Sequence, residues 1–246
     1  MQPLLPVPTL ETPHWRVNLR PETYYPELIP SLEKCYQLIE QTKLSLRGWD
    51  YPHVSGRNNE RGRGSNWVSS WSEFRGRNEY WRLYQSGQFL HLFSIEEATH
   101  PNWRNELQAI SKSHLGWGYL KDYDWSAVPG FISIRNFLYT VTEIFEFAAR
   151  LCEKEIYKET VTISIELKKI KGFVLAAEML RPMHNYYVAS ENEFSKSYKV
   201  KREDLLAESA ANSLAAVVWF FERFGWEHPP LQTLRKDQDD FVKGRV

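Results

Sequence analysis

Between Leu44 and Ile95 the chain gathers the residue types best suited to holding a planar or anionic group. It carries Trp49, Trp67, Trp71 and Trp81 with seven arginines, Arg47, Arg57, Arg61, Arg63, Arg75, Arg77 and Arg82, and not one lysine. Guanidinium is planar, permanently charged and forked, so it stacks on rings and grips carboxylate or phosphate through two parallel hydrogen bonds. In the polar loop from Ser55 to Asn66, Arg57, Arg61 and Arg63 are spaced to close over an anion while Trp67 or Trp71 stacks on a base. The competing reading is a structural brace, with arginines laid over tryptophan faces. The RGRGSN run lacks the Gly-Lys-Ser/Thr ending and the following helix of a phosphate loop.

Two other groups are candidates for chemistry. Asp50 and His53 have the composition of a base and its orienter, but strand alternation puts them on opposite faces and no nucleophile accompanies them. Glu166 and Lys168 share one strand face, an acid-x-lysine arrangement that in restriction-type nucleases holds a divalent metal and poises a lysine. Thr162 and Ser164 share that face too, as on any solvated strand, and only Asp122 and Asp124 stand in for the missing aspartate. The seven histidines and two cysteines show no HxxxH, HxH or CxxC spacing, and no cofactor motif is legible.

The elements that must position these residues follow from patterning. Residues 1–13 hold four prolines and read as an extended arm. Arg16–Arg20 alternates as a short strand, and Ser31–Gln41 reads as a helix with Leu32, Cys35, Tyr36 and Ile39 on one stripe. Leu44–Val54 reads as a strand broken near Pro52, followed by runs Trp67–Phe74 and Tyr80–Ile95, the second folded or bulged at Gly87, with a hairpin turn at Arg75-Gly76-Arg77-Asn78. Pro101–His114 is a modest helix, and 115–130 has no clear pattern. From Phe131 to about Tyr157 an apolar stripe that includes Phe137, Val141, Ile144, Phe145 and Ala148 marks the central core helix. Thr160–Lys168 alternates cleanly, Gly172–Ala177 continues the sheet, and Phe194–Val200 adds a strand. A helix spans Arg202–Phe224 with Gly225 at its C-cap, and another begins at Leu231. Segregated strands and helices predict an α+β fold, an antiparallel or mixed sheet with amphipathic helices on one side. Residues 14–246 form one domain in this reading, with a hint of two halves, 14–125 and 126–246.

Composition narrows the function. Lysine plus arginine and aspartate plus glutamate balance at 31 each, which argues against a generic nucleic-acid or membrane-surface binder. Cys35 and Cys152 fall in amphipathic helices as small hydrophobes, the amino terminus is no signal peptide, and no apolar run would span a bilayer, so a cytoplasmic protein is expected. Trp219, Phe220, Phe221, Phe224 and Trp226 are too many for one helix stripe and suggest a second surface, the sheet or another subunit.

The segments LRGWDYPH (Leu46–His53), WRLYQSGQFLHL (Trp81–Leu92) and WFFERFGW (Trp219–Trp226) resemble a group of bacterial proteins of uncharacterised activity, some carrying this module beside a Schlafen-type AlbA domain. The resemblance covers most of residues 14–240, although no AlbA-like segment is present. It implies an intracellular accessory or sensor module and transfers no site residues. The expected function is a non-catalytic module that binds a partner protein or phosphate-bearing ligand through Arg47, Trp49, His53, Arg57, Arg61, Arg63, Trp67, Trp71, Arg75 and Arg77. A metal-dependent nuclease using Glu166 and Lys168, or a structural subunit of a larger assembly, is the alternative.

Overall fold

The computed structural model describes residues 7–54, 60–74, 77–99, 102–113, 124–177 and 185–245. Residues 1–6 of the expected extended arm lie outside the described residues; within its described part Val7–Glu11 (α1) is a short helix, with Pro8 in the first turn where a missing N–H is tolerated. His14–Pro21 (β1) follows, and Trp15, Val17 and Leu19 alternate onto one buried face. Leu32–Thr42 (α2) starts at Ser31, whose side chain caps the Lys34 amide, and buries Cys35, Leu38 and Ile39.

Leu44–Val54 is not a strand. Its only ladder contact is the Leu44–Tyr51 bridge, closed by two hydrogen bonds of 2.8 Å, and the chain between them turns through Gly48 at φ 77°. That left-handed value suits glycine, and the cis Tyr51–Pro52 bond lies just beyond the bridge. The result is a loop laid against the sheet.

Arg61–Arg63 (β2), Trp67–Phe74 (β3), Arg77–Tyr84 (β4) and Phe89–Ser94 (β5) form the antiparallel meander. Of the two readings of the run from Tyr80 to Ile95, folded or bulged at Gly87, the structure has the fold: Gly87 N–H donates to the Tyr84 carbonyl and Tyr84 N–H to the Gln88 carbonyl, closing a tight turn between β4 and β5. Short helices Glu96–Thr99 (α3) and Trp103–Ser113 (α4) lead to Phe131–Ser133 (β6) and then Ile134–Glu153 (α5), capped by Ser133. The expected central helix thus yields its first three residues to a strand. Thr160–Lys168 (β7) has Val161, Ile163, Ile165 and Leu167 wholly buried.

Gly172–Ala177 does not continue this sheet. Lys169 and Gly172, at φ 59° and 81°, turn the chain away, and Val174–Ala176 (β8) instead joins β6 in parallel and Tyr187–Val188 (β9) antiparallel. Glu193–Lys201 (β10) returns to the main sheet, whose order is β10-β7-β1-β5-β4-β3-β2, so strands from early and late sequence interleave. Arg202–Arg223 (α6), kinked at Glu208, and Leu231–Val242 (α7) complete the chain. The fold is α+β, a large antiparallel sheet beside a small mixed one.

Helices α5 and α6 cover one face of the large sheet; Phe137 of α5 packs on Trp15 of β1 and on Phe220, Phe221 and Phe224. The aromatic end of α6 is thus largely consumed in the chain's own core, while Trp219 lies under Arg223 and Trp226 stacks on Tyr187. Helix α1 takes the opposite sheet face, beside Leu90 and Leu92 of β5. Three buried polar side chains, Thr142, Ser213 and Gln238, link α5, α6 and α7, with the Gln238 amide donating to both hydroxyls at 2.9 and 2.7 Å. Among the described residues no helix is long and apolar enough to cross a membrane.

Phe145 is wholly buried in α5 against the β7 and β10 side of the sheet, edge-on to Tyr198. Phe145→Ala is expected to cost about 3–5 kcal/mol in denaturant unfolding, as large aromatic truncations in cores do. A variant within roughly 0.5 kcal/mol of the parent would contradict this packing.

Candidate functional site

Strand alternation places two polar residues where apolar ones belong. On the face of β4 and β5 that meets α5, the inward series runs Arg77, Glu79, Trp81, Leu83 and Phe89, His91, Phe93. Glu79 is 2% exposed and His91 1%, so the carboxylate is out of water and needs donors. It has them: His91 Nε2 at 2.9 Å and the His53 amide at 2.7 Å reach Oε1, and Trp49 Nε1 at 3.0 Å reaches Oε2. Arg77 Nη2 adds charge at 3.9 Å. Two of these donors come from the 44–54 loop, so the buried carboxylate ties that loop to the sheet.

The loop is fixed further by rings. Trp49 stacks on His53 with centroids 3.9 Å apart, Arg77 lies over the Trp49 ring at 5.5 Å, and Trp81 Nε1 donates to the His53 carbonyl at 2.7 Å. Tyr51 inserts between His91 and Phe147 of α5. Arg47 crosses to α5, where Nη2 donates to Glu143 Oε2 at 2.6 Å and to Thr140 Oγ1 at 3.0 Å. Glu143 is 1% exposed, an acid within the apolar stripe of the core helix.

Burial would raise the Glu79 carboxyl, but the hydrogen bond and charge of His91, then the Arg77 charge, outweigh it and hold the group at about 2. Burial pushes His91 down, against the hydrogen bond and charge of Glu79. Glu143 goes the other way: burial raises it more than the single Arg47 lowers it. Tyr51 is raised strongly by burial, then by the two carboxylates. Two acids, one lowered and one raised from the ordinary carboxylate range, act on one tyrosine. Such divergence is characteristic of functional sites.

Five buried polar atoms in this cluster have no hydrogen-bond partner among the described residues: Tyr51 Oη, His53 Nδ1, Arg77 Nε, His91 Nδ1 and Glu143 Oε1. Native interiors leave few such atoms, and a gathering of them calls for a functional explanation. Next to them Arg47 and Arg77 line a narrow cleft closed by Ser94, Glu96, Asn136 and Thr140, with about 20 Å³ of free space, room for one or two waters. Glu97, raised by burial, stands in the same wall and accepts from the Ser133 amide and Asn136.

The residues expected to share one face are divided. Arg47, Trp49, His53 and Arg77 converge on the cluster. Arg61 and Arg63 lie on the short edge strand β2, Arg61 over Tyr36 at 5.6 Å and 3.7 Å from Glu40. Trp67 and Trp71 point to the opposite sheet face, where Arg82 packs over Trp67 at 4.0 Å. Arg57, Arg75 and the turn at Arg75-Gly76 lie outside the described residues, as does Asp122. Asp50 does not pair with His53; it binds Lys43 at 3.0 Å and Ser45. Glu166 and Lys168 do share a face, 2.9 Å apart, but Arg16 at 3.5 Å also holds Glu166, and Glu193 pairs with Lys168. Among the described residues no three His, Cys, Asp or Glu side chains are grouped to hold a metal.

Glu79, His91, Glu143 and Tyr51 are the members that motif reading missed. The signal was an acid and a histidine at inward positions of alternating strands, and an acid within a helix stripe. Comparison with known proteins adds nothing to this site: no protein-family model matches the chain, and no curated protein or solved structure matches it either.

Because Glu79 is lower folded than free, the stability it confers is complete above its free value of 4.5 and is lost as pH falls toward about 2. Glu79→Gln is therefore expected to cost about 3–5 kcal/mol at pH 7, since it leaves buried donors half-met. That gap should narrow steadily as urea unfolding is repeated at pH values between 4.5 and 2. A gap that does not change with pH would mean that Glu79 is not ionised in the folded chain.

Proposed function

We propose that the chain is a non-catalytic binding module that takes an acidic group, the carboxylate or phosphate of a partner protein or ligand, at the cleft between Arg47 and Arg77. The observation that carries this reading is the Arg77 guanidinium, whose buried Nε has no acceptor among the described residues although its Nη atoms are held by carboxylates. Buried charged donors seek acceptors, and an incoming oxyanion supplies one.

Three features support it. Both guanidiniums are aimed before any ligand arrives, Arg47 by Glu143 and Arg77 by Trp49 and Glu79, which lowers the ordering cost of binding. Glu96, 58% exposed at the rim, lies 3.3 Å from Arg77 Nη1 and occupies the place an outside carboxylate would take. Glu97, buried in the same wall, accepts from the Ser133 amide and from Asn136, so its carboxylate is engaged away from the two guanidiniums. An intracellular bacterial accessory role belongs to the same proposal and rests on the sequence resemblance alone.

Thermal melting in inorganic phosphate against chloride at matched ionic strength tests it. Specific binding stabilises the parent by an amount that grows with concentration, about 2.7 kcal/mol at a hundredfold excess over Kd. Arg77→Gln is expected to diminish the increment strongly, and Arg77→Lys, which keeps charge but loses the fork, to reduce it less. Equal melting of the parent in both salts, or an undiminished increment in Arg77→Gln, would reject the assignment.

A further inference from the structure

The acid-x-lysine pair and helix α1 meet on the sheet face opposite α5, away from the Arg47 and Arg77 cleft. There Leu10 of α1 faces Leu90 and Leu92 of β5 across an open cleft of about 390 Å³, an ordinary size for a ligand site. Arg16 and Lys168 line it from neighbouring strands, with Lys169 at the end of β7. An apolar floor and a cationic rim thus share one space.

The cations are arranged rather than scattered. Glu166 lies between Arg16 at 3.5 Å and Lys168 at 2.9 Å, fixing both, while Glu193 holds Lys168 from β10. Lys169 Nζ donates to the Glu11 carbonyl at 2.9 Å, a neutral acceptor, and ties α1 to the cleft. Arg16, Lys168 and Lys169 thus stand together along one rim. Lys169 has φ 59°, in the left-handed region that costs a side-chain-bearing residue and that clusters at functional positions. His14, in the same wall, is lowered by burial first, opposed by its bond to the Thr12 carbonyl, and further by the charges of Lys169, Lys168 and Arg16.

We propose that this cleft binds a small free amphipathic anion, its apolar body on Leu10, Leu90 and Leu92 and its carboxylate or phosphate head at Arg16, Lys168 and Lys169. At liquid-like volumes the space holds on the order of a dozen non-hydrogen atoms. The site is separate from the one assigned above and uses none of its residues.

Isothermal titration of the full chain with decyl phosphate below its micelle concentration, with inorganic phosphate, and with anionic lipid vesicles tests the proposal. Saturable one-to-one binding of decyl phosphate is expected, with inorganic phosphate about tenfold weaker or more, because it cannot use the apolar floor. Lys168→Gln should weaken decyl phosphate about tenfold and more at low salt than at high, and Leu90→Asn should weaken it without changing the salt dependence. Arg77→Gln should leave it unchanged. The proposal is overturned if decyl phosphate binds Lys168→Gln and Leu90→Asn as it binds the parent, if phosphate alone binds as tightly, or if only vesicles bind.

Discussion

A carboxylate taken out of water costs several kcal/mol unless donors meet its lone pairs, and Glu79 lies in a sheet face otherwise built mainly of rings and aliphatic side chains. Its donors cannot all come from the sheet. His91 is the diagonal neighbour on β5 and supplies one; the Trp49 indole and the His53 amide, both from the 44–54 loop, supply the others. The loop has little regular structure of its own beyond a single bridge. Its position is the solution to the charge problem of Glu79, and everything the loop carries, Arg47 and Tyr51 included, is placed by that solution.

Glu143 sets a second problem that is only partly solved. One guanidinium and no backbone amide leave Oε1 without a partner, and the carboxyl is raised where Glu79 is lowered. The two acids flank Tyr51, and the arginines answering them emerge side by side at the cleft. Tyrosine, histidine and arginine atoms left unpaired here run against the rule that buried polar networks are either complete or avoided. Sequences depart from that rule at functional places more than elsewhere. Charge balance also explains why a chain of zero net charge can present two guanidiniums at one point. Their field is local, set by carboxylates behind them.

Much of the fold was legible because it depends on local period. The alternation of β7 and the apolar stripe of α5 place Ile163, Ile165, Phe137 and Phe145 correctly inside. What misled was composition without register. Arg47, Arg77, Trp67 and Arg63 are alike in kind, but β3 and β4 send Trp67 and Arg77 to opposite faces, and Arg63 lies on an edge. Leu44–Val54 alternates well enough for a strand, and Gly48 and Pro52 decide otherwise. Gly172–Ala177 is apolar enough for either sheet, and two positive φ values just before it choose the smaller. Glu79 and His91 were visible as inward polar residues in β4 and β5, but their meaning needed the loop that covers them.

The central claim is that Glu79 holds the 44–54 loop in place, and hydrogen exchange at the His53 amide, which donates to Glu79 at 2.7 Å, reads it directly. In Glu79→Gln, exchange measured under native conditions should quicken at His53, along with the loop amide of Tyr51, while amides in the middle of β7 and α5 keep protection set by global unfolding. If His53 exchanges at the parent's rate relative to those core amides, the loop is held by something else and the account fails.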